Sequence, residues 1–187
     1  KLQDAAVKAA QKLTLQAAGG DKKAAKQLHA GLASIDNATG GVLALYGGPD
    51  FLASQWNWAT NPRPTGSTFK TYAFATALDN GWSFKDTLNG NSFTPKGDSV
   101  PVRNADGNFG RITLQNALTH SVNSAFVDLV TQIPDGPAKV QAMAEAAGLP
   151  SGGHWDLSNR IALGNTRRPP LLVVGAEPVV YGILEPP

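Results

Sequence analysis

Residues 63–70 read Arg63-Pro64-Thr65-Gly66-Ser67-Thr68-Phe69-Lys70. A serine follows a Pro-Thr-Gly turn, and a lysine stands three residues after it. The run that continues to Asn80 is helical in pattern and stops at Gly81, so a helix is expected over 67–80. Residues three apart share one face of a helix, so the Ser67 and Lys70 side chains can meet. At about 100° per residue, Thr68, Thr71, Ala75, Thr76 and Asp79 fall on one broad side. Lys70 falls on the other, beside Ala73, Phe74 and Ala77. A lysine on an apolar face is desolvated, which disfavours its ammonium form and suits a general base. The serine would sit in the first turn, where free backbone N–H groups favour developing negative charge. The plainer reading is a capping serine and a lysine that snorkels to water. A chain of this length holds roughly one Ser-x-x-Lys by chance, so the pair by itself does not decide.

A second element lies about fifty residues on. Ser121-Val122-Asn123 sits between two helical patterns, "TLQNALTH" and "AFVDLVTQI". A hydroxyl and a carboxamide two residues apart can project together from a short turn, one relaying a proton and the other holding a peptide carbonyl. Either residue can equally cap the helix that follows.

Outward from these motifs, Ala5, Ala6, Ala9, Ala10 and Leu13 predict a helix over 3–17, with Lys22, Lys23 and Lys26 as its solvated continuation or a linker. Two apolar runs, Leu32–Ile35 and Val42–Tyr46, flank the turn-rich "DNATGG" and predict a hairpin over 32–46. Residues 52–66 read as loop, with Trp56, Trp58, Pro62, Pro64 and Gly66 in it. Residues 82–110 read as irregular, and 111–149 as a helical region. Residues 166–187 change character, with prolines such as Pro178 among apolar residues, and suggest no unbroken helix or strand.

Apolar residues make up 42% of the 187 and charged residues 16%, which fits a folded chain rather than a disordered one. The net charge of +2 gives no case for a nucleic-acid partner. There is no cysteine, which excludes disulfides, thiolate metal sites and cysteine nucleophiles. His29, His120 and His154 are too widely spaced for a metal signature. No run is long and apolar enough to span a membrane, and the opening residues lack a signal-peptide pattern. The chain starts without Met and reads as an excised or processed segment, so any membrane anchor is expected outside it.

Taken together, the sequence resembles the transpeptidase domain of class A (bifunctional) penicillin-binding proteins. The resemblance rests on "LASIDNATGGVLALYGGPDF", "SQWNWAT", "RPTGSTFKTYAFATALDNG" and "ITLQNALTHSVNSAFVDLV", with "LQDAAVKAAQKL" like the helix that leads into such domains. It runs in order over roughly residues 2–165. It implies an α+β fold of helices and an antiparallel sheet, with residues 1–30 as lead-in and 31–187 as part of the domain. It implies a D,D-transpeptidase of the extracytoplasmic face that cross-links peptidoglycan without metal or cofactor. Ser67 would attack the stem peptide's D-Ala-D-Ala, with Lys70 as base, Ser121 as proton relay and Asn123 orienting the peptide. β-Lactams would acylate the same serine. Trp56 and Trp58 would line the approach or, more simply, pack the core. His120 neighbours the second motif and is given no chemical role.

The serine-lysine signature has a third part, Lys-Thr-Gly, which supplies a carboxylate site and an oxyanion donor. This sequence has neither Lys-Thr-Gly nor Lys-Ser-Gly, so the expected fold stops before its last strands. A D,D-carboxypeptidase or β-lactamase, and a non-catalytic wall-binding module, are the competing readings. Val122, where class A β-lactamases carry Asp, argues against a lactamase.

Overall fold

Alanine loses no side-chain entropy in a helix and leaves a flat surface that a sheet can approach closely. That is how the N-terminal repeat is used in α1 (Leu2–Ala17), whose Ala6 and Ala10 pack with Ala30, Leu32, Ala44 and Tyr46. A single turn, α2 (Lys22–Ala25), follows, capped by the Asp21 carboxylate, which accepts from the Lys23 and Ala24 N–H groups. Lys22, Lys23 and Lys26 are exposed. β1 (Leu32–Ile35) and β2 (Val42–Tyr46) then pair antiparallel. The Asp36 carboxylate folds the turn between them by accepting from the Thr39 and Ala38 N–H groups, which holds its pKa below the usual range. Gly40 completes the turn at φ +70°, where a side chain would be strained. The Gln3 amide of α1 acts as a ladder partner for β2. Its Nε2 donates to Leu45 O, and Leu45 N donates to its Oε1, both at 2.9 Å. This satisfies backbone groups that a bare edge would expose.

The computed structural model describes residues 1–52, 54–61, 63–151, 155–164 and 167–168. Contacts divide the chain into two compact units that part between Pro62 and Arg63. His154, Pro178 and the rest of the stretch 169–187 lie outside the described residues.

In the second unit, β3 (Arg63–Pro64) leads into a 3-10 turn, Gly66–Phe69, and then α3 (Lys70–Asp79). The α-helix therefore starts at Lys70 and not at the expected Ser67. Thr76, placed on the polar side by the helical wheel, is buried. Its hydroxyl donates to Tyr72 O at 2.8 Å, so the core carries it without an unpaired group. The region read as irregular contains β4 (Thr87–Asn89), and the expected helical stretch opens as a strand, β5 (Arg111–Thr113). These pair antiparallel with Leu88 opposite Ile112. Three-residue strands are too short to show a period of two, so the sequence pattern missed them.

Thr113 caps α4 (Leu114–Thr119) through the Asn116 N–H. α5 (Asn123–Gln132) buries Ser124, Ala125, Phe126, Val127, Leu129 and Val130. With six of its ten residues buried, α5 is central, and it packs against α3, α4, β4 and α6 (Gly136–Ala146). β6 (Arg167–Arg168) returns to pair with β3. Helices around α5, with small antiparallel pairs at their margins, make this an α+β unit.

Candidate active site

Gly66 enters the turn that carries Ser67 at φ +58°, a conformation that costs glycine little. A 3-10 turn has three residues per turn, so side chains at i and i+3 eclipse one another. Ser67 and Lys70 are such a pair. The Lys70 ammonium lies 2.9 Å from Ser67 Oγ. Ser67 is exposed, whereas Lys70 is 1% exposed. The hydroxyl is thus open to a substrate while its partner is sealed inside.

The other partners of the amine come from the junction of α4 and α5. Ser121 has φ +52°, rare for a residue with a side chain. In this conformation its carbonyl and its hydroxyl both face Lys70 Nζ, at 2.6 and 3.0 Å. Asn123, the first residue of α5, accepts from the same Nζ through Oδ1 at 2.7 Å, and its Nδ2 donates to Arg103 O at 2.9 Å. An ammonium has three protons, and here four oxygens lie within reach of it. The Phe126 ring centroid is 5.9 Å from Nζ. Oxygen acceptors favour the charged amine, whereas burial among apolar groups disfavours it. Burial prevails and pushes the Lys70 pKa down from 10.5 to about 8. At neutral pH roughly a tenth of the amine is then neutral, against well under a thousandth for an ordinary lysine. Only the neutral form can take a proton from Ser67.

The four residues singled out by spacing therefore meet at one amine. Trp58 of the first unit stacks on His29 with centroids 4.0 Å apart, and Trp56 tilts against it. His120 packs against the Phe109 ring. Among the described residues, no group of three or more His, Asp or Glu side chains is placed to hold a metal ion. Two contributors escaped the sequence reading. The Ser121 carbonyl has no sequence signature, since it depends on a left-handed backbone. Gly164 is the other. Its N-terminal neighbours form a 3-10 turn, Ile161–Leu163, and its carbonyl accepts from Gly66 N. A Cβ at Gly164 would lie 2.6 Å from Gly66 N and Thr65 Oγ1 and would also strike Gly66 O, and its φ is +67°. Gly164→Ala is therefore expected to destabilise the unit by about 2–4 kcal/mol through overpacking and left-handed strain. Thermal melting of the variant checks this.

Comparison with known proteins supplies the wider setting. A family model described as the penicillin binding protein transpeptidase domain matches residues 31–162. Penicillin-binding protein 1A of Mycolicibacterium smegmatis is 33% identical over 150 residues, covering 80% of this chain and 18% of that protein. Penicillin-binding protein 1A of Neisseria lactamica is 34% identical over 156 residues, covering 80% and 19%. The structure is similar to that of the penicillin-binding protein PonA1 from Mycobacterium tuberculosis, with TM-score 0.73, 27% identity and coverage of 87% of this chain and 44% of that one. PonA1 in complex with penicillin V gives TM-score 0.72, 27% identity and coverage of 87% and 45%. The chain spans less than a fifth of the length of these curated relatives. With most of its length matched by the family model and one third of the aligned residues identical in these relatives, the chain belongs to the transpeptidase domain family of penicillin-binding proteins.

Proposed function

We propose that this chain carries the acylating residues of a D,D-transpeptidase that cross-links peptidoglycan through a serine acyl-enzyme. The observation that carries the reading is the buried Lys70 amine, 2.9 Å from the exposed Ser67 hydroxyl and also bonded to Ser121 and Asn123. In the first step neutral Lys70 takes the Ser67 proton as Oγ bonds to the carbonyl carbon of the penultimate D-Ala. The C–N bond to the terminal D-Ala breaks. The leaving amine receives a proton from Lys70 through Ser121 Oγ, 3.0 Å from Nζ. In the second step an amine from a neighbouring stem peptide attacks the ester and gives up its proton along the same route. The new amide forms and Ser67 regains its proton. One Nδ2 proton of Asn123 is held by Arg103 O, which leaves the other for the carbonyl of the bound peptide.

A β-lactam presents the same reacting amide inside a ring, so the leaving nitrogen stays tethered and the ester persists. The structure of PonA1 in complex with penicillin V supports β-lactam binding by a similar fold. The family setting supports action at the extracytoplasmic face. No helix among the described residues is long and apolar enough to cross a membrane. The sequence contains no Lys-Thr-Gly, so the proposal assigns to these residues the acylating amine, hydroxyls and amide, and not the site for the substrate's terminal carboxylate.

Labelling with a fluorescent penicillin tests the reading. A transpeptidase-type site gives a label that survives for hours. Rapid release of label points to a lactamase-type hydrolase, and a folded chain that never labels overturns the proposal. The labelling rate also carries a pH signature. It rises about tenfold per unit below pH 7 and levels above about 8, as Lys70 loses its proton. The same group affects the fold. The unfolded chain holds the lysine proton up to about 10.5 and the folded one only to about 8. Stability from this group therefore rises with pH between those values and is lowest below them.

A further inference from the structure

The N–H groups of a helix's first turn have no partner within the helix and are usually met by the capping side chain. In α5 the capping residue is Val122, which has no side-chain acceptor to offer. The acceptor comes instead from twenty residues away, where Asn104 Oδ1 takes the Ser124 N–H at 2.9 Å. The Nδ2 of the same Asn104 donates to Gly90 O at 2.9 Å and to Gly107 O at 3.0 Å. All its polar atoms are thus in use, tying the first turn of α5 to the segment that carries Gly90 and Gly107. The residue before it, Arg103, presents the carbonyl that accepts from Asn123 Nδ2.

We propose that Asn104 is a positioning residue for the acylation reaction, fixing through the Arg103 carbonyl which way the Asn123 side-chain amide faces. An amide can rotate by half a turn and exchange its oxygen for its NH2 at almost no intrinsic cost. With Oδ1 toward Lys70, the amine finds an acceptor at 2.7 Å. With NH2 toward it, two donors would oppose each other and the substrate's carbonyl would lose its donor. The Arg103 carbonyl decides between these states, because it can only accept. It can do so only if its peptide is held against α5, and Asn104 holds it there. The Asn104 side chain bonds to Ser124 N, Gly90 O and Gly107 O and makes no hydrogen bond to Lys70 or Ser67, so its effect is routed through Asn123.

This inference rests on the reading of Ser67 as the acylated residue, and its test separates the two. The penicillin acylation rate is measured for the wild-type chain, Asn104→Ala, Asn123→Ala and the double variant, with melting curves to show that each is folded. Coupled residues in one hydrogen-bond network are non-additive. Asn104→Ala is expected to slow acylation about tenfold in the wild-type background and by less than about twofold when Asn123 is already Ala. Equal slowing in both backgrounds means that Asn104 supports the fold without acting on Asn123, and overturns the proposal, as does no slowing in either. If Asn104→Ala does not fold, Asn104→Asp takes its place, since it keeps the acceptor for Ser124 N and loses the two donor bonds. A second readout needs no acylation. The side-chain amide signals of Asn123 in a nitrogen-15 spectrum should shift and exchange faster with water in Asn104→Ala. A wild-type chain that is never acylated overturns the proposed function alone, and the Asn123 signals then decide the role of Asn104. Unchanged signals overturn it.

Discussion

Replacing Lys70 with Met is expected to slow the acylation of Ser67 by penicillin about 10³–10⁴-fold, at the upper end of what a positioned general base contributes. The size follows from the geometry. Ser67 is exposed and has one basic group within hydrogen-bond reach among the described residues, the Lys70 amine at 2.9 Å. Methionine keeps the length and apolar stem of lysine, so the buried position beside the Phe126 ring stays filled. The stability effect is mixed. The variant removes a buried amine whose charged form is disfavoured, and it leaves Ser121 O and Asn123 Oδ1 without their donor. These terms oppose each other, so the melting temperature moves little while the rate collapses. Lys70→Arg tests charge against basicity. A guanidinium keeps its proton at every accessible pH, so the arginine variant should be as slow as the methionine one. Stopped-flow labelling across pH 6–9 separates the cases, because the pH dependence near 8 should vanish with the amine.

Ser67→Ala has the largest expected effect, complete loss of covalent labelling. No other described hydroxyl shares its position. Ser121 Oγ is also 3.0 Å from the amine, but it belongs to the turn between α4 and α5 and not to the turn that carries Ser67. Removal of the Ser67 hydroxyl leaves Lys70 with three of its four oxygens, so the fold should hold within about 1 kcal/mol. An alanine variant that melts normally and takes no label locates the nucleophile. Label that persists in it would move the nucleophile elsewhere, with Ser121 first to examine.

Much of this arrangement was legible in the sequence because the deciding contacts are local or carried by residue type. Ser67 and Lys70 are three apart, and they meet whether the turn is α-helical or 3-10, so the altered helix start did not disturb the expectation. The alanine repeat of α1 and the two apolar runs around "DNATGG" follow from periodicity and turn chemistry, and both elements form where expected. The rest depends on partners distant in the chain. β4 and β5 are three residues each and exist because they pair, with Leu88 buried opposite Ile112. The carbonyl of Ser121 reaches Lys70 through a backbone conformation that no side chain announces. Asn104 sits in a stretch of Gly, Asn and Asp that reads as generic turn, and only the fold shows that its amide caps a helix twenty residues away. Gly164 is silent in the same way, since its value lies in the atom it lacks beside Gly66.

The central claim is that a buried, partly neutral lysine makes Ser67 the acylated residue. Its most direct test is to incubate the folded chain with penicillin V, confirm one adduct by intact mass, and locate it by peptide mapping. The account predicts a single penicilloyl ester on Ser67, absent from Ser67→Ala and formed about 10³–10⁴-fold more slowly in Lys70→Met. An adduct on another residue, or one that forms on Ser67 equally fast without Lys70, would contradict it.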